Sequence, residues 1–544
     1  MNCIGKRLEH FIAMALSLCL MAATAACSST PAPEKSTATG TAARGSVAIF
    51  TPADGVTFSE HTPLNKWTKL TPEVQNALTA TEGFQKDSIS TTTSDTLDTQ
   101  SRAVQDYVVG HVTSQSSSSS SASTTFKPSQ ETIIIAPVAT KDNAIRQYGD
   151  FVDQQVTWNE STTDSSTSSS SPSASASDSS SPSPIQSRAT GDDNVEAVTQ
   201  RAAGERLVAA LRLAKSSGMH VIVVSNPIQG FTPELFVKMA TAREIGIVQA
   251  KQLVSKLALN STSSENPKHI EVMIPVSREA DDDTDTDSAG NLFAREAFAG
   301  IWSVLGKYYR DGRATSPSNT LTASSTDSSW SNVVFDARKA SSAQTALASR
   351  LGKTADGQDV PVAINGILAM NDFVASGVTT ELKKLGYTGS SSDINPQISI
   401  SGIVGNITGK QDIQKEKAPD PKRAPRQSSE DDSNSSATAG EKTSTAWPII
   451  TGYGSYIDNI PSIVDGMQWM TAIEDRKSLA TDIAHATALL NADKGIKSLP
   501  SIAQDTIEGT KVLTLSREQL IVSASNLKSI LLDKDYITPA EAGL

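Results

Sequence analysis

Cysteine is nearly absent from this 544-residue chain: Cys3, Cys19 and Cys27 are the only three, all close to the N-terminus. That excludes a disulfide framework or a cysteine-ligated metal site anywhere beyond residue 27. Aromatic residues are 5% and hydrophobic residues 38%, while long serine-rich tracts interrupt the chain, so the part that folds is well short of the full length. Positive charge is in deficit, with a formal net charge of −12, which argues against a nucleic-acid surface. The one basic cluster, "KAPDPKRAPR" at 417–426, is broken by prolines and followed by "SEDDSNSS", and it reads as a solvated loop. The six histidines, His10, His61, His111, His220, His269 and His485, include no pair at helical ligand spacing. Neither a G-x-x-x-x-G-K-[ST] phosphate loop nor a G-x-S-x-G nucleophile elbow occurs. The acidic run "EADDDTDTD" at 279–287 lacks the sixth-position glycine and the closing glutamate of a calcium loop. No enzyme activity, metal or cofactor is expected.

One apolar run is present, at the start. Lys6 and Arg7 precede "FIAMALSLCLMAATA", Phe11 to Ala25, and small residues lead to Cys27. The run is shorter than the ~20 residues of a spanning helix and has the length of a secretory signal core. Segment 1–27 is similar to a bacterial lipoprotein signal, in which the cysteine is acylated and becomes the mature N-terminus, with Thr24 standing where leucine is commonest. An ordinary cleaved secretory signal that happens to contain Cys27 is the alternative. The polar stretch 28–44 reads as a disordered tether. The expected location is the extracytoplasmic face of the cell membrane, cell surface or periplasm, with the lipid on Cys27 as the only membrane contact.

From Gly45 the pattern becomes globular. "SVAIF" (46–50) is a short apolar strand, followed by a turn and by helical spacing from Trp67 to Leu78. "SRAVQDYVVG" reads as a helix capped by Gly110. "ETIIIAPVA" (131–139) and "MHVIVVSN" (219–226) are further buried strands, and a helix that opens in "KDNAIRQYGDFVD" is interrupted and resumes at "ERLVAALRLAKSSG". After the helix "AREIGIVQAKQLVSKLAL" a second series begins: strands "HIEVMIPV", "WSNVVFD", "VAINGILAM", "QISISGIV" and "PIITG", with helices between them. This alternation predicts an α/β chain of two doubly wound lobes, their parallel sheets covered on both faces, with a ligand site at the carboxyl ends of the strands. The expected division is 45–260 plus 468–496 for the N-terminal lobe, with disordered inserts at about 112–130 and 160–190. The C-terminal lobe is then 268–467 plus 497–544, with an insert at about 409–446.

Candidate ligand contacts follow from that rule. They are Asp54 and Trp67 after the first strand, Ser225 and Asn226 after "MHVIVV", and Asn291 and Arg295 opening the helix beyond the acidic run. Asn371 and Asp372 follow "GILAM", and Tyr453 follows "IITG". Carboxylates, amides and a guanidinium offer paired hydrogen bonds to sugar hydroxyls, and an aromatic face suits the sugar's C–H surface. Each residue also has a plainer reading, with Asn371 and Asp372 as helix caps, Trp67 as core and Ser225-Asn226 as turn formers. As an exposed cap, Asp372→Ala is expected to cost about 1 kcal/mol while abolishing binding.

Several segments resemble the periplasmic sugar-binding proteins of ABC importers, closest to the xylose- and ribose-binding type. These are "LAMNDFVASGVTTELKKLGYTG", "ITGYGSYIDNIPSIVDGMQWMTAIEDRKSLA", "GIVQAKQLVSKL" and the closing "SASNLKSILLDKDYITPAEA". The resemblance covers most of 45–544 outside the inserts. It implies two Rossmann-like lobes of the type I periplasmic-binding-protein kind joined by three crossings. It also implies a monomer that closes about a hinge on a small polar ligand, a monosaccharide, and delivers it to an ABC permease, with no cofactor and no nucleic acid. Two departures stand out: Tyr453-Gly454 lie where that family carries Gln-Asp, and Phe298 where an arginine is expected. The alternative is a non-transport lipoprotein that keeps the scaffold, its sugar site decayed, for sensing or protein interaction.

Overall fold

A computed structural model describes residues 44–54, 62–116, 126–139, 142–152, 192–277, 288–352, 362–391, 446–507 and 509–542. The Cys27 anchor, the acidic run 279–287 and the strand "QISISGIV" lie outside the described residues, as do most of the three inserts.

The first lobe is a seven-stranded sheet. Its strands are β1 (Ser46–Pro52), β2 (Ile89–Ser94), β3 (Glu131–Ile135), β4 (His220–Val224), β5 (Leu235–Val237), β12 (Ile502–Ile507) and β13 (Thr510–Leu515). Their order is β12-β13-β5-β4-β3-β1-β2. All neighbours run parallel except the β12–β13 hairpin at the edge. The central strands β3 and β4 carry unbroken runs of Ile and Val, and their neighbours β1 and β5 are apolar through Val47–Phe50 and Leu235–Val237, as a sheet buried on both faces requires. Helices α1 (Trp67–Asn76) and α10 (Arg476–Leu490) cover one face. Helices α2 (Leu97–Ser116) and α4 (Asp192–Ser216) cover the other.

The second lobe is built on β6 (Lys268–Val276), β7 (Ala314–Thr315), β8 (Val334–Asp336), β9 (Gly366–Ala369) and β10 (Ile449–Thr451). They run in the order β10-β9-β6-β7, with β8 also paired to β6, all parallel. Helices α5 (Ala242–Lys256) and α6 (Ala289–Arg310) lie on one face. Helices α7 (Ser342–Leu351) and α8 (Asp372–Lys384) lie on the other. The lobes are therefore doubly wound, as the alternation predicts. Helix α5 opens with a capping box, in which Thr241 and Glu244 satisfy each other's free amides.

Three connections cross between the lobes: residues 238–241, β11 (Met470–Ile473) and β14 (Leu520–Ser523), the last two paired antiparallel. The one-turn helix α3 (Asn143–Arg146) and the short α9 (Ile460–Val464) lie in loops at the carboxyl ends of the strands. The C-terminal segment after β14 packs through Leu527, Leu531 and Tyr536 on α9 of the second lobe and on Leu64 of the first.

Four details differ from the sequence reading. Helix α2 runs through Gly110, which has no left-handed conformation, so no glycine cap forms there. Residues 143–146 make a single capped turn rather than the start of α4. Helix α5 belongs to the second lobe, because its apolar face packs on α6, β9 and β10. Residues 502–515 join the first sheet, because β13 pairs with β5 at Thr514↔Phe236.

Candidate functional site

The loops that leave the carboxyl ends of β1, β3, β9 and β10 meet along the seam between the lobes. Two are stitched by main chain: the Leu64 amide donates to the Gly454 carbonyl at 2.9 Å, and the Ile457 amide to the Thr62 carbonyl at 3.3 Å. Side chains add to this. The Tyr456 hydroxyl donates to the Gln147 carbonyl at 2.6 Å, Asn371 Nδ2 to Gln147 Oε1 at 3.2 Å, and Asn65 Nδ2 to the Tyr453 hydroxyl at 3.3 Å. Tyr148 from the first lobe packs against Phe293 of α6 and Tyr453, at ring separations of 4.7 and 6.2 Å.

Asn371 and Asp372 sit at the seam between β9 and α8 and are completely buried. Asn371 is the N-cap, its Oδ1 accepting from the Val374 amide at 2.9 Å. Asp372 is not an exposed cap. Its Oδ2 accepts from the Tyr456 amide at 2.9 Å and the Thr471 hydroxyl at 2.8 Å, and its Oδ1 from Gln468 Nε2 at 2.7 Å. Burial pushes its carboxyl up to about 7 against the pull of these three donors. Gly452 leaves the space they need, since a Cβ there would fall on Asp372 Oδ1 and Gln468 Nε2.

Tyr453 is also fully buried, and its hydroxyl donates to Glu474 Oε1 at 3.2 Å. Glu474 ends the crossing that contains β11 and accepts a second bond from the Ala240 amide at 2.8 Å. Burial raises this carboxyl to about 7 as well, and raises the phenols of Tyr148, Tyr453 and Tyr456 well above their ordinary value. The Tyr148 hydroxyl, though fully enclosed, makes no well-formed hydrogen bond among the described residues, with the Asn371 side chain near enough to pull its phenol down a little; the Ser455 hydroxyl in the loop after β10 likewise has no partner there.

The other sequence candidates do not join this cluster. Asp54 holds the first turn of α1 by accepting from the Thr68 amide at 3.2 Å. Trp67 is core, edge-on to Phe151 at 4.9 Å. Ser225, at φ 69°, donates to the Phe151 carbonyl at 2.8 Å, and Asn226 Nδ2 donates to the Pro137 carbonyl at 3.4 Å, both within the first lobe. The Asn291 amide donates to the Ser288 cap at 3.3 Å. Arg295 lies over the Trp330 ring, 5.7 Å from its centre. Phe298 is fully buried against Trp302.

Sequence reasoning missed Asn65, Gln147, Tyr148, Gln468 and Glu474. Only Glu474 carried a usable signal, as a carboxylate directly after the buried strand "MTAI". Among the described residues no cluster of three or more His, Cys, Asp or Glu could hold a metal ion, and no helix is long and apolar enough to cross a membrane.

No family model and no curated protein matches the sequence. Solved structures similar to this chain include solute-binding proteins of sugar transporters. An ABC transporter solute-binding protein from Clostridium phytofermentans with bound β-D-glucose has TM-score 0.45 and 14% identity, over 91% of this chain and 99% of that one. A carbohydrate transporter solute-binding protein from Chloroflexus aurantiacus in complex with D-glucose has TM-score 0.44 and 15% identity, over 91% and 97%. A periplasmic ribose ABC transporter protein from Conexibacter woesei has TM-score 0.42 and 10% identity, over 91% and 98%.

Proposed function

We propose that this chain is an extracytoplasmic, lipid-anchored solute-binding protein that takes a small polar ligand, a monosaccharide, into the seam between its lobes and presents it to an ABC permease. The observation that carries this reading is the Tyr148 hydroxyl: fully enclosed between loops of both lobes, with no well-formed hydrogen bond among the described residues and only the Asn371 side chain acting on it as a hydrogen-bonding neighbour. A buried hydroxyl without a well-formed hydrogen bond is costly, and a ligand hydroxyl would supply the missing partner. Around it lie the Asn371 amide and, across the ring of Tyr453, the Glu474 carboxyl. These groups hydrogen-bond hydroxyls, and the rings of Tyr148 and Phe293 supply apolar faces. The mechanism is closure of the lobes about their three crossings, in which the ligand favours the closed form and no covalent step is required.

A second reading is favoured by Asp372, whose two oxygens are already taken by three protein donors. On that reading the scaffold serves sensing or protein contact without a sugar. Thermal melting and calorimetry against a panel of pentoses and hexoses separate the two. A ligand at a hundredfold excess over its Kd adds about 2.7 kcal/mol of stability, and Tyr148→Phe should weaken that binding without unfolding the chain. If no sugar shifts the melting point of the wild-type chain, the transport reading fails and the second stands.

A further inference from the structure

Glu474 joins the two lobes through a short chain of polar groups. Its backbone amide donates to Asn65 Oδ1 at 3.4 Å, the Asn65 amide donates to the Tyr453 hydroxyl, and that hydroxyl returns to Glu474 Oε1. Asn65 belongs to the first lobe, Tyr453 to the second, and Glu474 to a crossing between them. All three are at most 2% exposed. We propose that Asn65, Tyr453 and Glu474 form a proton-operated latch between the lobes, held shut while Glu474 is protonated and loosened when it ionises.

The surroundings of Glu474 set the direction. The charged neighbours that act on it are like charges: Glu244 on α5, itself bonded to Lys238 at 2.7 Å, and Asp475 next in the chain. Arg476 follows but is directed to Glu73 and Tyr536. Facing the Asn65 side, Lys66 is paired with Asp150 at 3.8 Å. No cation is bonded to Glu474 among the described residues, so its ionised form is held only by the Ala240 amide and the Tyr453 hydroxyl. An enclosed carboxylate with two donors is poorly compensated, whereas a protonated one is neutral. Parting the lobes lets water reach the group. Its proton is therefore held more tightly in the closed form, and raising the pH favours opening. With titration at about 7 when closed and 4.5 when solvated, linkage makes opening roughly thirtyfold easier at pH 8.5 than at pH 5.5, levelling off above about pH 8.

The latch needs no ligand, so its test is independent of the transport reading. Hydrogen exchange of the full chain without sugar reads opening at two interlobe amides, Leu64 and Ile457, with amides of β4 as an internal reference. After correction for the intrinsic pH dependence of exchange, protection of the two interlobe amides should fall roughly thirtyfold between pH 5.5 and 8.5, and not in Glu474→Gln. Tyr453→Phe keeps the ring and removes the donor, so it should lower protection more at pH 8.5 than at 5.5. Protection that is constant with pH in the wild type overturns the proposal, as does an unchanged slope in Glu474→Gln. Should Glu474→Gln fail to fold, an equal effect of Tyr453→Phe at both pH values overturns it as well.

Discussion

Asp372 Oδ1 accepts a 2.7 Å hydrogen bond from Gln468 Nε2, tying the head of helix α8 to a residue 96 positions later, just before β11. The same carboxylate takes the Tyr456 amide and the Thr471 hydroxyl, and the Asp372 carbonyl accepts from Asn459 Nδ2 at 2.9 Å. One side chain thus fixes the loop after β10 and the root of a lobe crossing. Asp372→Ala would take the acceptor from the buried Tyr456 amide and Thr471 hydroxyl and leave Gln468 Nε2 with the Met470 carbonyl alone, so the loss should be about 3 kcal/mol or more rather than the ~1 kcal/mol of an exposed cap. Urea unfolding of the variant checks this. A loss near 1 kcal/mol would show that water replaces the carboxylate freely.

The same burial gives stability a pH dependence. Asp372 titrates at about 7 in the folded chain and at 3.8 as a free side chain. A carboxyl raised on folding stabilises the native state fully below its unfolded value, and that contribution is lost as pH rises toward the folded value. Stability should therefore fall between about pH 4 and pH 7 and level off above, by on the order of 3–4 kcal/mol from Asp372. Asp372→Asn should remove its share of that decline and leave the share of Glu474, which burial also raises to about 7, measured as the urea midpoint against pH. A variant whose midpoint falls as steeply as the wild type would assign the slope to other groups.

How much of this was readable beforehand follows from where each signal lies. The doubly wound lobes were legible because β3 and β4 carry continuous apolar runs and that of β6 is broken only by Glu271, and such runs between amphipathic helices leave few alternatives. Strand β2, "ISTTTS", was not legible: it is a half-exposed edge strand, and although Ile and Thr are β-branched, it has neither an apolar run nor an apolar/polar alternation to mark it. The placement of β12 and β13 was hidden because pairing across some 280 residues leaves no local trace. At the site, Asn371 and Asp372 could be picked out by position, yet whether they face ligand or protein depends on Gln468 and Thr471 far along the chain. Tyr148 and Gln147 lay in what looked like the start of a long helix, so nothing local marked them as seam residues.

Helices α5 and α6 touch through their backbones at two glycines. A Cβ on Gly246 would strike the Ala297 carbonyl oxygen, and one on Gly300 the Arg243 carbonyl oxygen. Neither obstacle is a flexible side-chain end, so the helices must separate to admit a methyl group. Gly246→Ala and Gly300→Ala should each destabilise by about 1–3 kcal/mol, despite alanine's better helix propensity. A rise in melting temperature for either variant would contradict the close approach.

Arg476 is 1% exposed, yet it carries a charge. Its Nε lies 3.0 Å from both oxygens of Glu73, and its guanidinium sits 4.4 Å from the centre of the Tyr536 ring. It therefore holds α1, α10 and the C-terminal segment together, with Tyr536 also donating to Asp475 at 2.9 Å. Arg476→Ala leaves the Glu73 carboxylate partly buried and unpaired, for a loss of about 3–5 kcal/mol. Since burial already raises the Glu73 carboxyl, replacing it with a neutral amide removes much of that penalty. The double variant Arg476→Ala, Glu73→Gln should accordingly be less destabilised than the sum of the two single changes, by about 1–3 kcal/mol in a double-mutant cycle. Arg476→Lys keeps the charge without the planar fork and should fall between wild type and alanine. Limited proteolysis adds a local readout: cleavage within 526–542 should accelerate in Arg476→Ala before the rest of the chain is cut. Uniform acceleration along the chain would mean that Arg476 supports the first lobe alone and not the C-terminal segment.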